Sequence, residues 1–276
     1  MALSIHLYRE YLMENLFEAA HRCLMSCDIE EKLRLTEETV AAWRTNSLSM
    51  TDDTATQRIE EAGIPTTLRL VPPRELPRRR LGATGGKVAL LHAISHIEFN
   101  AINLAWDAVY RFRNLPTSYY SDWIKVAHEE AYHFRLLHEQ LNKEGVQYGD
   151  MVAHNGLWEM AVKTDHDVMV RMALVPRVLE ARGLDATPAI MRKLKQHNSP
   201  ELIDILTIIL RDEVGHVAIG THWFHHFCQQ RGCEPDSTFK MLLKQYYSGQ
   251  LRPPFNTEAR LAAGFTSAEI ESLENL

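Results

Sequence analysis

The sequence predicts an all-α protein: a four-helix bundle with extra helices before it and a C-terminal tail after it. Three observations predict this. From Lys87 onward, apolar residues recur at steps of three and four, the period of a helix that buries one face. Alternating, strand-like patterns are weak throughout. Four of the apolar stripes are each interrupted by a carboxylate, and two of them carry a histidine three positions later.

Taken in chain order, residues 4–45 read as helical, with Leu12, Leu16, Ala19 and Cys23 at helical spacing. Thr36, followed by Glu38 and Thr39, marks the start of a second short helix. Residues 46–86 change character. Gly63, Pro65, Pro72, Pro73, Pro77, Gly82, Gly85 and Gly86 make them a long irregular connector. Residues 1–86 are therefore expected to form an extension packed on the bundle, and residues 87–276 the bundle with its C-terminal extension. Helices are predicted near 87–113, 119–144, 157–182 and 199–231. Asn114-Leu115-Pro116 forms a short turn, and Gly145 to Gly156 a longer connection. Gly183 fits a helix C-terminus, with Pro188 opening a short new helix. Asn198 or Ser199 caps the last long helix, with Pro200 at its first position. After Gly232 come one more helical segment and a tail containing Pro253-Pro254.

The carboxylates carry the chemistry. On the 199–231 helix the seam runs Leu202, Leu206, Ile209, Glu213, His216, Gly220, Trp223 and Phe227. On the 119–144 helix it runs Trp123, Val126, Glu130, His133, Leu137 and Leu141. The first helix places Glu98 after Leu91 and Ile94 and before Ala101 and Ala105. The third places Glu180 after Met169, Ala173 and Pro176. A carboxylate in an apolar core without a partner costs several kcal/mol. Four such groups on four faces need one shared compensation, and cations supply it. Glu98, Glu130, His133, Glu180, Glu213 and His216 are oxygen and imidazole donors that suit iron, with manganese also accepted. One Glu from each of two helices plus Glu-x-x-His from each of the other two is the ligand set of two-metal bundles. Glu98 and Glu130 stand 32 positions apart, and Glu180 and Glu213 stand 33, so two similar half-sites arise from two helix pairs. The midpoint of the first pair falls at Asn114, inside its turn. The second pair fits less neatly, because Gly183 lies three residues past Glu180; residues 184–197 would have to extend the third helix after a break.

Neighbouring groups have blander readings. Glu129 and Asp212 point about a hundred degrees from Glu130 and Glu213, and serve either as imidazole partners or as surface groups. His92, His96 and His128 read as hydrogen-bonded or exposed histidines. The Tyr148–His154 stretch reads as a pocket mouth or as a turn with an Asp cap.

Composition narrows the class. The chain has 276 residues, 45% hydrophobic and 24% charged, with a net charge of -6. That balance does not favour a phosphate backbone as the main partner. Arg74 to Arg80 (RELPRRR) is a basic run read first as a solvated linker. The four cysteines lie at C-x3-C and C-x4-C spacing, neither a zinc nor a rubredoxin pattern. No stretch approaches the roughly 20 apolar residues of a membrane span, and the N-terminus lacks a signal-peptide pattern. The expectation is a cytoplasmic protein with reduced thiols and no membrane partner.

The stretches HAISHIEFNAINLAWD, DWIKVAHEEAYHF, YGDMVAHNGLWE, VPRVLEARGLDATP and RDEVGHVAIGTHWF resemble a bacterial ferritin-like family whose members are mostly of unknown function. The resemblance covers roughly residues 65–265. More distantly the chain is similar to MiaE-type di-iron tRNA hydroxylases and to rubrerythrins. What the resemblance implies is a ferritin-like fold with a di-iron centre, its ligands falling on the six residues named above. Oxygen activation is the leading expectation: O2 as co-substrate, hydroxylation or another oxidation of a small-molecule or RNA substrate, and an external electron donor, since no C-x2-C iron site is present. Iron oxidation, storage or peroxide detoxification by a ferritin-like protein without an organic substrate, and a non-enzymatic metal-stabilised interaction module, are the alternatives. For an RNA substrate, Arg78, Arg79 and Arg80 are the candidate contacts. Oligomeric state is open, a homodimer included.

Overall fold

The computed structural model describes residues 14–51, 55–77, 81–249 and 251–274. Helices dominate. The only paired strands among the described residues are two-residue stubs, β1 (Glu14–Asn15) and β2 (Leu48–Ser49), which run parallel. Two helices come first, α1 (Leu16–Met25) and α2 (Ile29–Arg44). The break between them falls at Ser26–Asp28 and not near Thr36, which is buried inside α2. Asp28 decides this. Its carboxylate accepts the Glu31 N–H at 2.8 Å and so satisfies a donor that the first turn leaves open.

The four long rods follow: α3 (Gly86–Arg111), α4 (Thr117–Lys143), a composite third rod, and α8 (Pro200–Arg231). The first, second and fourth agree with the sequence expectation to within two residues. Asn114 makes the α3–α4 turn with φ of 56°, a left-handed conformation that Asn tolerates. Ser199 precedes α8 as expected, but its hydroxyl bonds back to the His197 carbonyl and not to the helix.

The third rod corrects the 157–182 expectation. A short helix, α5 (Gly156–Lys163), stops at Thr164. The rod proper restarts after Asp167, whose side chain accepts the Met169 and Val170 N–H groups. It runs as α6 (Val168–Leu174), a π-helical turn (Val175–Glu180) and α7 (Ala181–Gln196). Gly183 and Pro188 therefore end nothing. Pro188 has no N–H for the carbonyl four residues earlier, and Asn256 Nδ2 serves that Leu184 carbonyl instead, at 3.1 Å. With the helix continuous to Gln196, Glu180 and Glu213 lie at comparable distances from the turn that joins the third rod to α8. The geometric weakness of the second helix pair disappears.

The flanking segments clasp this frame. α1 packs on α3, and α2 on α4. The Lys32 ammonium of α2 is buried. It donates to the Cys23 and Leu24 carbonyls at 2.7 and 2.9 Å and to Asn103 Oδ1 at 2.6 Å, tying the end of α1 to α3. Burial pushes its pKa down to about 7. The connector lies along the bundle, with Ile59 and Leu68 buried and Leu70 bridged to Ala153. Past Gly232 the chain forms three helices and not one: α9 (Pro235–Tyr246), α10 (Thr257–Ala262) and α11 (Ser267–Glu274). Two buried arginines lock them down in opposite directions. Arg177 of the π turn reaches Glu269 at 2.5 Å, amid the rings of Phe224, Phe239 and Phe265. Arg260 of α10 reaches back to Asp185 at 2.7 Å.

Candidate metal centre

Every apolar position named for the α3, α4 and α8 seams is buried, and so are the polar residues among them. Glu130, His133 and His216 show no accessible surface, Glu98 has 3% and Glu213 8%. Glu180 is half-buried as a residue, but its Oε2 is enclosed.

The side chains converge. Glu98, Glu130, His133 and Glu213 bring one ligand atom each within 4.8 Å of one another, a group that can hold a metal ion. His133 Nδ1 lies 3.3 Å from Glu98 Oε2 and 3.4 Å from Glu130 Oε2. His216 Nδ1 lies 2.9 Å from Glu130 Oε1 and 3.6 Å from Glu213 Oε1. Glu130 thus stands between the two imidazoles, whose ring centres are 5.8 Å apart. Glu180, on the third rod, is close enough to interact electrostatically with Glu213, Glu130 and His216. Five of the six sequence-predicted residues, Glu98, Glu130, His133, Glu213 and His216, are linked by close contacts, and Glu180 reaches them only electrostatically.

Outward of the imidazoles a second arrangement repeats across the pair of helices. His133 Nε2 lies 3.2 Å from Asp212 Oδ2 of α8, and His216 Nε2 lies 2.9 Å from Glu129 Oε2 of α4. Each carboxylate is the residue just before a cluster glutamate, and each holds the histidine of the opposite helix. Both are in turn held by a base: Arg211 on Asp212 at 2.8 Å, Lys125 on Glu129 at 2.7 Å. This resolves the two readings of Glu129 and Asp212 in favour of imidazole partners. The α period could not choose, because a displacement of a hundred degrees is equally compatible with solvent and with a neighbouring rod. A proton on Nε2, donated to the carboxylate, leaves Nδ1 facing inward.

The electrostatics show how unsettled this cluster is with protein groups alone. Burial, then the charge of Glu130, raises Glu98 well above the usual carboxylate range. Burial, then Glu213 and Glu130, does the same to Glu180, and burial with Glu130 raises Glu213. Burial opposes the ionisation of Glu130 too, but the two histidines outweigh it and hold its pKa low. Burial opposes charge on the imidazoles, yet Glu130 and Glu98 push His133 up to about 11, and Glu130 and Glu129 push His216 well above its usual value. Even so, Glu180 Oε2 and Glu213 Oε2 are buried with no partner, and Glu98 Oε2, Glu130 Oε1 and His216 Nδ1, though in ion-pair contact inside the cluster, complete no well-aligned hydrogen bond. Five under-satisfied ligand atoms in one place are costly. Cations would satisfy all of them, and would displace the protons that the site otherwise needs. The donor set, mixed oxygen and imidazole, fits iron or manganese.

Other sequence candidates fall elsewhere. His96 bonds to the Tyr148 hydroxyl and the His154 carbonyl, His92 accepts the Gly149 N–H, and His128 meets Glu37. Asp150 accepts the Gln147 N–H, so the Tyr148–His154 stretch begins as a turn, and Tyr148 also lines a cavity of about 630 Å³ with Cys27, His138 and Asn142. None of the six cluster residues lines that cavity. Arg78, Arg79 and Arg80 lie outside the described residues. The four cysteines are free thiols, and no helix among the described residues is long and apolar enough to cross a membrane.

Sequence reasoning missed the π turn. Its signal was Pro176, a residue without an N–H placed inside a helical seam and four positions before Glu180.

The fold and the site together define an all-α bundle protein with a buried glutamate–histidine cluster able to hold metal. The chain belongs to the family described as "Protein of unknown function (DUF455)", which it matches over residues 25–271. A relative from Haemophilus influenzae, described as an uncharacterized protein, is 49% identical over 217 residues, covering 76% of this chain and 75% of the relative. No solved structure matches the chain.

If Asp212 orients a metal-binding imidazole, Asp212→Asn should weaken divalent-metal affinity by about 10- to 100-fold while leaving the fold intact. Metal competition with a chelator measures this, and unchanged affinity would remove Asp212 from the role.

Proposed function

We propose that the chain is a two-metal carboxylate oxidoreductase that activates O2 to oxidise an organic substrate, with iron as its metal. One observation carries the reading: Glu98, Glu130, His133 and Glu213 bring their ligand atoms together in a closed interior, with His216 against Glu130 and Glu213 and with Glu180 Oε2 buried and unpartnered. Glu98, Glu130 and His133 would hold one ion, Glu180, Glu213 and His216 the other, with Glu130 placed to serve both. When bound, a pair of iron ions supplies the electrons that reduce O2.

The protein's own groups do the rest. Asp212 and Glu129 hold the imidazoles in one orientation. The seam residues around the cluster, Ile209, Trp223, Leu137 and Ile94 among them, keep bulk water out, which preserves an oxidant for the substrate. The resemblance of the sequence stretches quoted above to a ferritin-like family, and the more distant one to MiaE-type hydroxylases and rubrerythrins, favours this class of chemistry and leaves the substrate to experiment. With no C-x2-C iron site in the sequence, electrons would come from a separate donor.

Protein loaded anaerobically with ferrous iron and then opened to air should take up two metal ions per chain and consume O2, with further uptake when a reductant is supplied. Oxygen-electrode traces and metal analysis read both. Stoichiometric uptake that stops at iron oxidation, whatever reductant is present, would favour iron handling. No uptake at all, despite bound iron, would end both redox readings.

A further inference from the structure

Glu180 is the cluster residue with the least local support. Its Oε2 has no hydrogen-bond partner, and no neighbouring carboxylate or base braces it as Asp212 and Glu129 brace the histidines. Its position must come from its backbone, and that backbone is irregular: Glu180 closes the π turn Val175–Glu180. Such a widened turn is less regular than the helix on either side of it, so something has to hold it at one depth.

The structure shows what touches it. Pro176, four residues before Glu180, lies against Gly220, four residues after His216. A β-carbon added at Gly220 would fall 2.2 Å from Pro176 Cγ and 2.3 Å from its Cβ. No side chain fits there unless the third rod moves. Gly220 sits in the middle of α8 among large seam residues, with Trp223 and Phe227 following it. A glycine inside a helix costs roughly 0.5–1 kcal/mol against alanine, so its place here calls for a packing reason. The pyrrolidine ring of Pro176 is that reason. Pro176 also has no N–H to give, which fits it to the wide turn.

We infer that Pro176 seated in the notch at Gly220 is a steric key that positions Glu180 against Glu213 and His216, making both residues positioning residues of one half of the metal centre. The inference rests on the metal reading above and goes beyond it, because it separates the two ions. The half-site of Glu98, Glu130 and His133 is built on α3 and α4 and contains no residue of the π turn. The half-site of Glu180, Glu213 and His216 spans the seat itself.

The test is titration of the full-length protein with Mn2+ alone, followed by calorimetry and by electron paramagnetic resonance, for wild type, Gly220→Ala and Pro176→Ala. Gly220→Ala forces the turn away from α8. Pro176→Ala introduces no clash and guards against a first variant that fails to fold. Wild type should bind two ions. Each variant should weaken one ion by about tenfold or more, the scale of a lost supporting contact, and leave the other within about threefold. Equal weakening of both ions would mean that the contact only stabilises the bundle, and would overturn the inference. So would two variants that bind as wild type does. Wild type that binds no Mn2+ would bring down the metal reading itself, a result distinct from either of these.

Discussion

Replacing Glu130 by glutamine is expected to abolish tight binding of both metal ions. The substitution keeps the shape of the side chain and removes only its charge. Glu130 is the one carboxylate in contact with both imidazoles, through Oε2 toward His133 and Oε1 toward His216. It is also the one whose ionised form the site favours, because the two histidines outweigh the cost of its burial. Loss of an accessory partner costs about 10- to 100-fold in affinity; loss of the shared anion should exceed about 100-fold for each ion. The metal-free chain should suffer as well, since two imidazoles lose their common counter-charge. Breaking a buried pair by removing one partner costs about 3–5 kcal/mol. Metal analysis after dialysis, together with urea unfolding, separates the two effects. A Glu130→Gln protein that keeps two ions at wild-type affinity would contradict the assignment.

The largest effect on the fold itself is expected from Asp107→Ala. Asp107 is fully buried on α3, and its carboxylate takes two guanidiniums: Arg171 of α6 at 2.5 Å and Arg111 of its own helix at 2.7 Å. Arg171 also donates to Thr164 Oγ1 and to the Ala161 carbonyl, across the break between α5 and α6. The arginine is thus the tie between the start of the third rod and the first rod. Alanine would strand its charge in the interior at a cost of about 3–5 kcal/mol, which for a chain of this length lowers Tm by roughly 6–20 °C. Adding Arg171→Met should recover part of the loss, because the stranded charge goes with it. A loss below about 1 kcal/mol for Asp107→Ala, or no recovery in the double variant, would show that the network does not hold the rods.

Neither Asp107 nor Arg171 drew notice in the sequence, and the reason is physical. Each reads as an ordinary charged residue on a helix, and their partnership spans 64 positions. The same holds for Arg177 with Glu269, and for Arg260 with Asp185. The cluster residues were legible because they violate a local rule in a repeated way. Glu130 and His133, then Glu213 and His216, interrupt apolar seams at the same spacing, and a repeated violation is improbable without a common cause. Helix ends were legible where a residue acts alone, as Pro200 and Asn114 do. They were misread where a competing partner decides the outcome. Gly183 and Pro188 look like terminators, but Asn256, far along the chain, supplies the hydrogen bond that Pro188 withholds.

From the sequence alone came the helical class, the four seams and the six residues placed on them, because side-chain periodicity is a property of neighbours three and four apart. The tertiary structure decided which carboxylate grips which histidine, how the third rod stays continuous, and that Pro176 enters the notch at Gly220. Those depend on which surfaces meet across the bundle, and no local pattern records the distance between two rods.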